Sequence, residues 1–157
     1  CTNPQVTEGN PVYFRICFLD PFQGTVLANY AYKELGVTTA YTLAMLGSDY
    51  DQGVVYYFKQ AFEALGGTVI SEDFPEGTAN FVSYINNAQS AGAGVIMAPV
   101  STNYAQLIIE AASAELRKRK EDFVVLQAKE GAFAVSRRAP AAPKIRDNMS
   151  VPDRVHF

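Results

Sequence analysis

Along the first 113 residues short apolar runs alternate with longer stretches whose apolar positions recur every three to four residues, so strand and helix patterns follow one another in turn. The run Val12-Tyr13-Phe14-Arg15-Ile16-Cys17-Phe18 predicts a first strand. Asp20 to Leu35 follows as an amphipathic helix, capped by Asp20, with Pro21 in its first turn and Gly36 as its stop. Val37 to Leu46, bounded by Gly36 and Gly47, predicts a second strand. Gln52 to Leu65, closed by Gly66-Gly67, predicts the next helix. The unit then repeats. Thr68 to Phe74 alternates as a strand, Asn80 to Ala91 sets Phe81, Tyr84, Ile85 and Ala88 on one helical face, Val95 to Ala98 reads as a buried strand, and Thr102 to Ala112 begins a fourth helix.

Strands joined by single helices run parallel, because each right-handed crossover returns the chain to the same end of the sheet, and a parallel sheet needs helices on both faces. The predicted class is therefore α/β, a doubly wound, Rossmann-like parallel sheet followed by an irregular tail. In such sheets ligands gather beyond the carboxyl ends of the strands, where helix N-termini present unpaired amides. Three loops are nominated on that ground: Gly47 to Gln52, Pro75 to Thr78 and Pro99 to Asn103.

Composition divides the chain near Ser113. All nine tyrosines precede that point, and the residues before 114 carry three basic and ten acidic side chains against ten basic and six acidic after it. Glu115 to Asp122 extends the last helix as a charged segment, and Phe123 to Gln127 predicts one more short strand. Beyond it periodicity is lost, and the stretch from Ser136 to Lys144, rich in Pro, Ala and basic residues, buries too little apolar surface to offset its ordering entropy. The predicted organisation is a lobe over 1–127 and a mobile tail over 128–157, with 114–157 of foreign, frameshift-like origin or a divergent ending. The tail's basic residues are diluted by acids and lack interleaved aromatics, so no nucleic-acid partner is expected. No stretch reaches the roughly 18–20 apolar residues of a membrane span, and the N-terminus lacks the regions of a signal peptide, so the chain reads as soluble. Of the two cysteines, Cys17 in its apolar run reads as a buried thiol.

The loop Gly47-Ser48-Asp49-Tyr50-Asp51-Gln52-Gly53 carries the densest chemistry, an aromatic ring, a hydroxyl and two carboxylates at a helix start. Either Tyr50 walls a small ligand with Ser48 and Asp49 beside it, or the polar residues cap the helix and Tyr50 packs. The Asp-x-Asp spacing lacks the further ligands of a calcium loop, so no metal is expected. The single histidine, His156, stands one residue from the end, leaving no base for a Ser-His-Asp or Cys-His machine, and no glycine-rich phosphate cradle or other cofactor motif is present. A binding protein rather than an enzyme is the expectation.

Thr2-Asn3-Pro4, Phe14-Arg15 with Asp20 and Gln23-Gly24, Ser48-Asp49-Tyr50, and Gly77-Thr78-Ala79-Asn80-Phe81 stand in an order and at intervals that resemble the middle of periplasmic substrate-binding proteins of the branched-chain amino acid type, the type I fold of ABC importers. The resemblance covers roughly residues 1–113 and implies a fragment of a two-lobed clamp that closes on a small polar solute. It places Cys1 within the parent protein, at an internal position rather than a lipid anchor. It implies that Thr2 holds an amino acid's carboxylate, that Tyr50 lines the cleft, and that Val100, Ser101 and Thr102 form a second contact loop. It implies further an amino acid solute, an ABC importer permease as the parent's partner, and an extracytoplasmic location. The alternatives are a ligand-sensing domain of a receptor or transcription regulator on the same fold, and a flavodoxin-like enzyme. As one part of a clamp the chain is expected to bind weakly or not at all, since an open cleft buries too little of a small ligand.

Overall fold

The computed structural model describes residues 2–119, 124–129 and 132–137. After a 3-10 turn at Pro4–Val6 the elements are α1 (Asp20–Asn29), β1 (Thr39–Met45), α2 (Asp49–Ala64), β2 (Thr68–Phe74), α3 (Val82–Ser90), β3 (Val95–Met97), α4 (Thr102–Arg119), β4 (Val124–Lys129) and β5 (Ala132–Arg137). The sheet order is β2-β1-β3-β4-β5. The first four strands are parallel, and β5 closes the edge antiparallel to β4, with Leu126 opposite Val135. The doubly wound α/β class expected from the alternation is the observed one.

Alternation along the strands sorts the core into two layers. Ala40 and Ala44 of β1 and Val95 and Met97 of β3 face a cluster with Leu27 of α1 and Val54, Phe58 and Phe62 of α2. Tyr41, Leu43 and Ile96 point the other way, onto Ile85 and Ala88 of α3 and Ala105, Ile108 and Ala112 of α4. Thr42, also fully buried, is paid for by one bond from its hydroxyl to the Ser71 hydroxyl across the β1–β2 ladder, at 2.9 Å. The Tyr41 hydroxyl donates to Glu72 on the same neighbouring strand.

Helix α1 reaches α2 unusually closely, because Gly24 has no side chain: a Cβ there would stand 2.6 Å from the Phe58 amide nitrogen and 2.8 Å from the Tyr57 carbonyl carbon. The helix expected to run to Leu35 ends differently. Its last turn, Tyr30–Glu34, widens to π, closing with Leu35 N–H on the Tyr30 carbonyl at 3.1 Å, and Gly36 at φ +67° turns the chain into β1.

Three expectations require correction. Val12 to Phe18 is not a strand: it bonds to no neighbouring strand, Phe14 is 90% exposed, and its local bonds are turn bonds such as Tyr13 N–H to Asn10 C=O. The run is apolar on both sides, so composition alone suggested a buried strand, but the sheet's edges are occupied by β2 and β5. Cys17 lies in this exposed strap, and its thiol is not buried. Regular structure also continues past Gln127. Strand β4 runs to Lys129 and pairs with β5, whose Ala-Phe-Ala-Val alternation is too weakly apolar to stand out, although two residues containing Gly131 separate the strands at hairpin spacing. The remaining tail, residues 138–157, with His156, lies outside the described residues, as does Cys1. Among the described residues no helix is long and apolar enough to cross a membrane.

Candidate functional site

The carboxyl ends of β1, β2 and β3 lead into the three loops that the strand order nominates. The loop after β1 is fixed by its own polar residues. Ser48 is the N-cap of α2, its hydroxyl oxygen accepting the Asp51 N–H at 3.3 Å and donating to Asp51 Oδ1 at 2.8 Å. Asp51 Oδ2 accepts the Met45 N–H at 3.0 Å, tying the helix start to the last residue of β1. Asp51 is 5% exposed, and burial raises its carboxyl above the ordinary carboxylate value against the lowering effect of the bonds from Ser48, Met45 and its own amide. The capping alternative is therefore correct for Ser48 and Asp51, whose groups are engaged within the loop.

The raised value has a sign. The folded chain holds the proton more tightly than the unfolded chain, so the contribution of this group is greatest below the unfolded value and is lost as pH rises through the folded one. Asp51→Asn keeps an oxygen to accept the Met45 N–H and removes the ionisation, while its amide nitrogen replaces the oxygen that accepts from Ser48, so that the Ser48 hydroxyl becomes the acceptor. Its urea midpoint, relative to wild type, is expected to rise between about pH 3.5 and pH 7. A relative midpoint that falls over that interval would show that the hydrogen bonds outweigh burial.

Tyr50, in the first turn of α2, is half-buried. Its hydroxyl donates to Gln23 Oε1 on α1 at 3.1 Å, and its ring packs at the margin of the α1–α2 cluster. The N-terminal segment is brought alongside by Arg15, whose guanidinium donates to the Thr2 carbonyl at 3.0 Å, the Asn3 carbonyl at 2.8 Å and the Thr7 hydroxyl at 3.0 Å. Asp20 N–H also donates to the Thr2 carbonyl, at 3.0 Å. Thr2 is thus held by its backbone at the start of α1. Together Thr2, Asp20, Asp49 and Tyr50 line a cavity of about 460 Å³ with Asn3, Gln5 and Val6 of the 3-10 turn.

The structure brings Thr2, Asp49 and Tyr50 to one cavity and leaves the third loop apart from it. Val100 is 2% exposed and packs in the α3–α4 cluster, while Ser101 and Thr102 are exposed at the start of α4. Asp20, expected to cap α1, does not do so: the N-cap is Leu19 with no side-chain bond, and Asp20 is the first residue of the helix. Asp20 and Gln23 are both fully buried, and the Asp20 carboxylate oxygens and Gln23 Nε2 have no partner among the described residues. The available signal was spacing, since positions 20, 23, 24, 27, 28 and 31 form one buried helical stripe in which two polar side chains are out of place. Among the described residues no group of three or more His, Cys, Asp or Glu side chains is arranged to hold a metal.

A doubly wound sheet with a cavity beyond its strand ends is the arrangement in which small ligands gather. The sequence matches the periplasmic binding protein family over residues 2–134, and the chain belongs to that family. The match runs past the change in composition at residue 113, so the family pattern extends further than the motif resemblance does. The structure is similar to that of a leucine-binding protein from Thermotoga maritima, with 32% identity and a TM-score of 0.72 over 80% of this chain and 35% of that one. It also resembles a branched-chain amino acid transporter substrate-binding protein from Streptococcus pneumoniae in complex with isoleucine, at 24% identity and TM-score 0.67 over 80% and 34%. A solute-binding protein of an ABC transporter from R. palustris, in complex with 4-hydroxybenzoate, matches at 23% identity and TM-score 0.64 over 78% and 33%. At those identities the last two establish the fold alone. The chain spans about a third of the length of these proteins. No curated protein matches the sequence.

Proposed function

We propose that the chain is part of an extracytoplasmic solute-binding protein that delivers an amino acid to the permease of an ABC importer. The observation that carries this reading is the convergence of Thr2, Asp49 and Tyr50 on one polar cavity of about 460 Å³ at the carboxyl edge of the sheet, a size suited to a small solute. The hydroxyl of Thr2 offers a donor for a carboxylate and the Tyr50 ring an apolar wall. Ser101 and Thr102, exposed beside buried Val100 at the start of α4, are assigned in this reading to a second rim that a larger clamp would bring into use. Binding of this kind needs hydrogen bonds, desolvation and closure, and no chemical step.

An amino acid is favoured over an aromatic acid by charge. Asp49 is exposed at the cavity, Asp20 is buried in its wall, and among the described residues no cation lines it, which suits an ammonium-bearing solute and disfavours one whose only charge is a carboxylate. Saturation-transfer NMR of this chain with L-leucine, L-isoleucine, L-valine and 4-hydroxybenzoate tests the choice. Saturable transfer to the branched-chain amino acids, with dissociation constants of about 1 mM or weaker because the cleft is open, is the expected result. Preferential binding of 4-hydroxybenzoate would overturn the amino acid assignment.

A further inference from the structure

Gln23 sits on the buried stripe of α1, wholly enclosed, with its Nε2 lacking a partner among the described residues. An unsatisfied buried amide costs roughly 1–3 kcal/mol, and a methionine would occupy nearly the same volume without that cost. On the other side of the amide, Oε1 accepts a hydrogen bond from the Tyr50 hydroxyl at 3.1 Å. Gly24, the next residue, lets α1 approach α2 closely enough for the amide to reach Tyr50 at all. A polar group retained at a cost in stability, whose bond ends on the aromatic wall of the cavity, has the signature of a residue kept for function.

We infer that Gln23 is a positioning residue for solute recognition: by accepting the Tyr50 O–H hydrogen bond on its Oε1 it fixes the tilt of the ring at the wall of the cavity. This inference rests on the solute-binding reading for its purpose, but the hold of Gln23 on Tyr50 is measurable without any ligand. With that hold in place, the ring meets the solute already oriented and loses less rotamer freedom on binding.

The test uses Gln23→Met, which preserves volume and removes the acceptor, so the chain is expected to melt no lower than wild type. In the wild-type chain the Tyr50 hydroxyl proton should exchange with water at least about ten-fold more slowly than that of exposed Tyr13 and show a nuclear Overhauser contact to the Gln23 side chain; in Gln23→Met the exchange should quicken by at least about three-fold. Rapid exchange in wild type, or unchanged protection in the variant, would overturn the inference whatever the chain binds. A second arm titrates L-leucine: Gln23→Met should weaken binding by about five- to ten-fold, and in a Tyr50→Phe background the same substitution should have no further effect. Equal losses in both backgrounds would assign Gln23 a general structural role and contradict positioning. Absence of leucine binding by wild type would count against the proposed solute class, while the exchange measurement would still decide the link between Gln23 and Tyr50.

Discussion

Replacing Phe74 by alanine is expected to lower the unfolding free energy by about 3–5 kcal/mol, the cost of emptying a fully buried aromatic site. Phe74 ends β2, is 0% exposed, and meets Phe81 edge-on at 4.9 Å and Tyr104 at 5.1 Å between ring centroids. Those contacts join the strand end, the start of α3 and the first turn of α4, so the cavity left by alanine cannot collapse without moving all three. The loop that follows depends on the same cluster, since Gly77 N–H donates to the Tyr104 hydroxyl at 2.8 Å. Against a typical domain stability of about 5–15 kcal/mol the loss would leave a marginal fold. Urea denaturation followed by circular dichroism reads it directly, and a loss below about 1 kcal/mol would mean that the aromatic cluster is not formed as described.

Gly24→Ala carries the second large effect, for a reason unrelated to glycine's backbone freedom. The added methyl would collide with the backbone of α2 at Tyr57 and Phe58, which cannot swing aside as a side chain tip can. Overpacking of this kind costs about 3 kcal/mol, outweighing the roughly 1 kcal/mol that alanine normally gains over glycine in a helix. Thermal melting of Gly24→Ala beside Gly9→Ala separates the two effects. Gly9 has φ +71° and nothing within 4 Å of a Cβ, so alanine there should cost only about 1–2 kcal/mol of backbone strain. A Gly24→Ala variant more stable than wild type would show that α1 and α2 do not make this close approach, and would also remove the basis for Gln23 reaching Tyr50.

The parts of this fold that could be read from the sequence are those where pattern and punctuation agree. Strand β2 has the bounds its alternation gives, and α2 ends at Gly66-Gly67 because the chain turns there with φ +94° at Gly66. The reading failed where apolar character has no partner in the sheet. Val12 to Phe18 looks like a strand residue by residue, yet a strand exists only through a neighbour, and its central arginine instead holds the Thr2–Thr7 segment. It also failed at β5, where alanines blur the alternation.

The site was legible in a similar, partial way. Tyr50 and Asp49 are nominated by their place at a strand end, and the structure sets both on the wall of a cavity there. Thr2 had no local signal and came only from the resemblance of its neighbourhood to a family. Val100 was placed in a contact loop by the same resemblance, but its side chain turns into the α3–α4 core. Gln23 was overlooked because a buried amide is visible only when a helical stripe is read for its exceptions.

The measurement that tests the account most directly is a chemical-shift map of the isotopically labelled chain titrated with L-leucine to tens of millimolar. The account predicts progressive shifts at Thr2, Asp49, Tyr50 and Gln23, around the cavity at the carboxyl edge of the sheet, with little change at the opposite edge near Gly36 and Gly66. Shifts clustered elsewhere, or none at the cavity while other residues respond, would contradict the assignment of this edge as the solute-binding face.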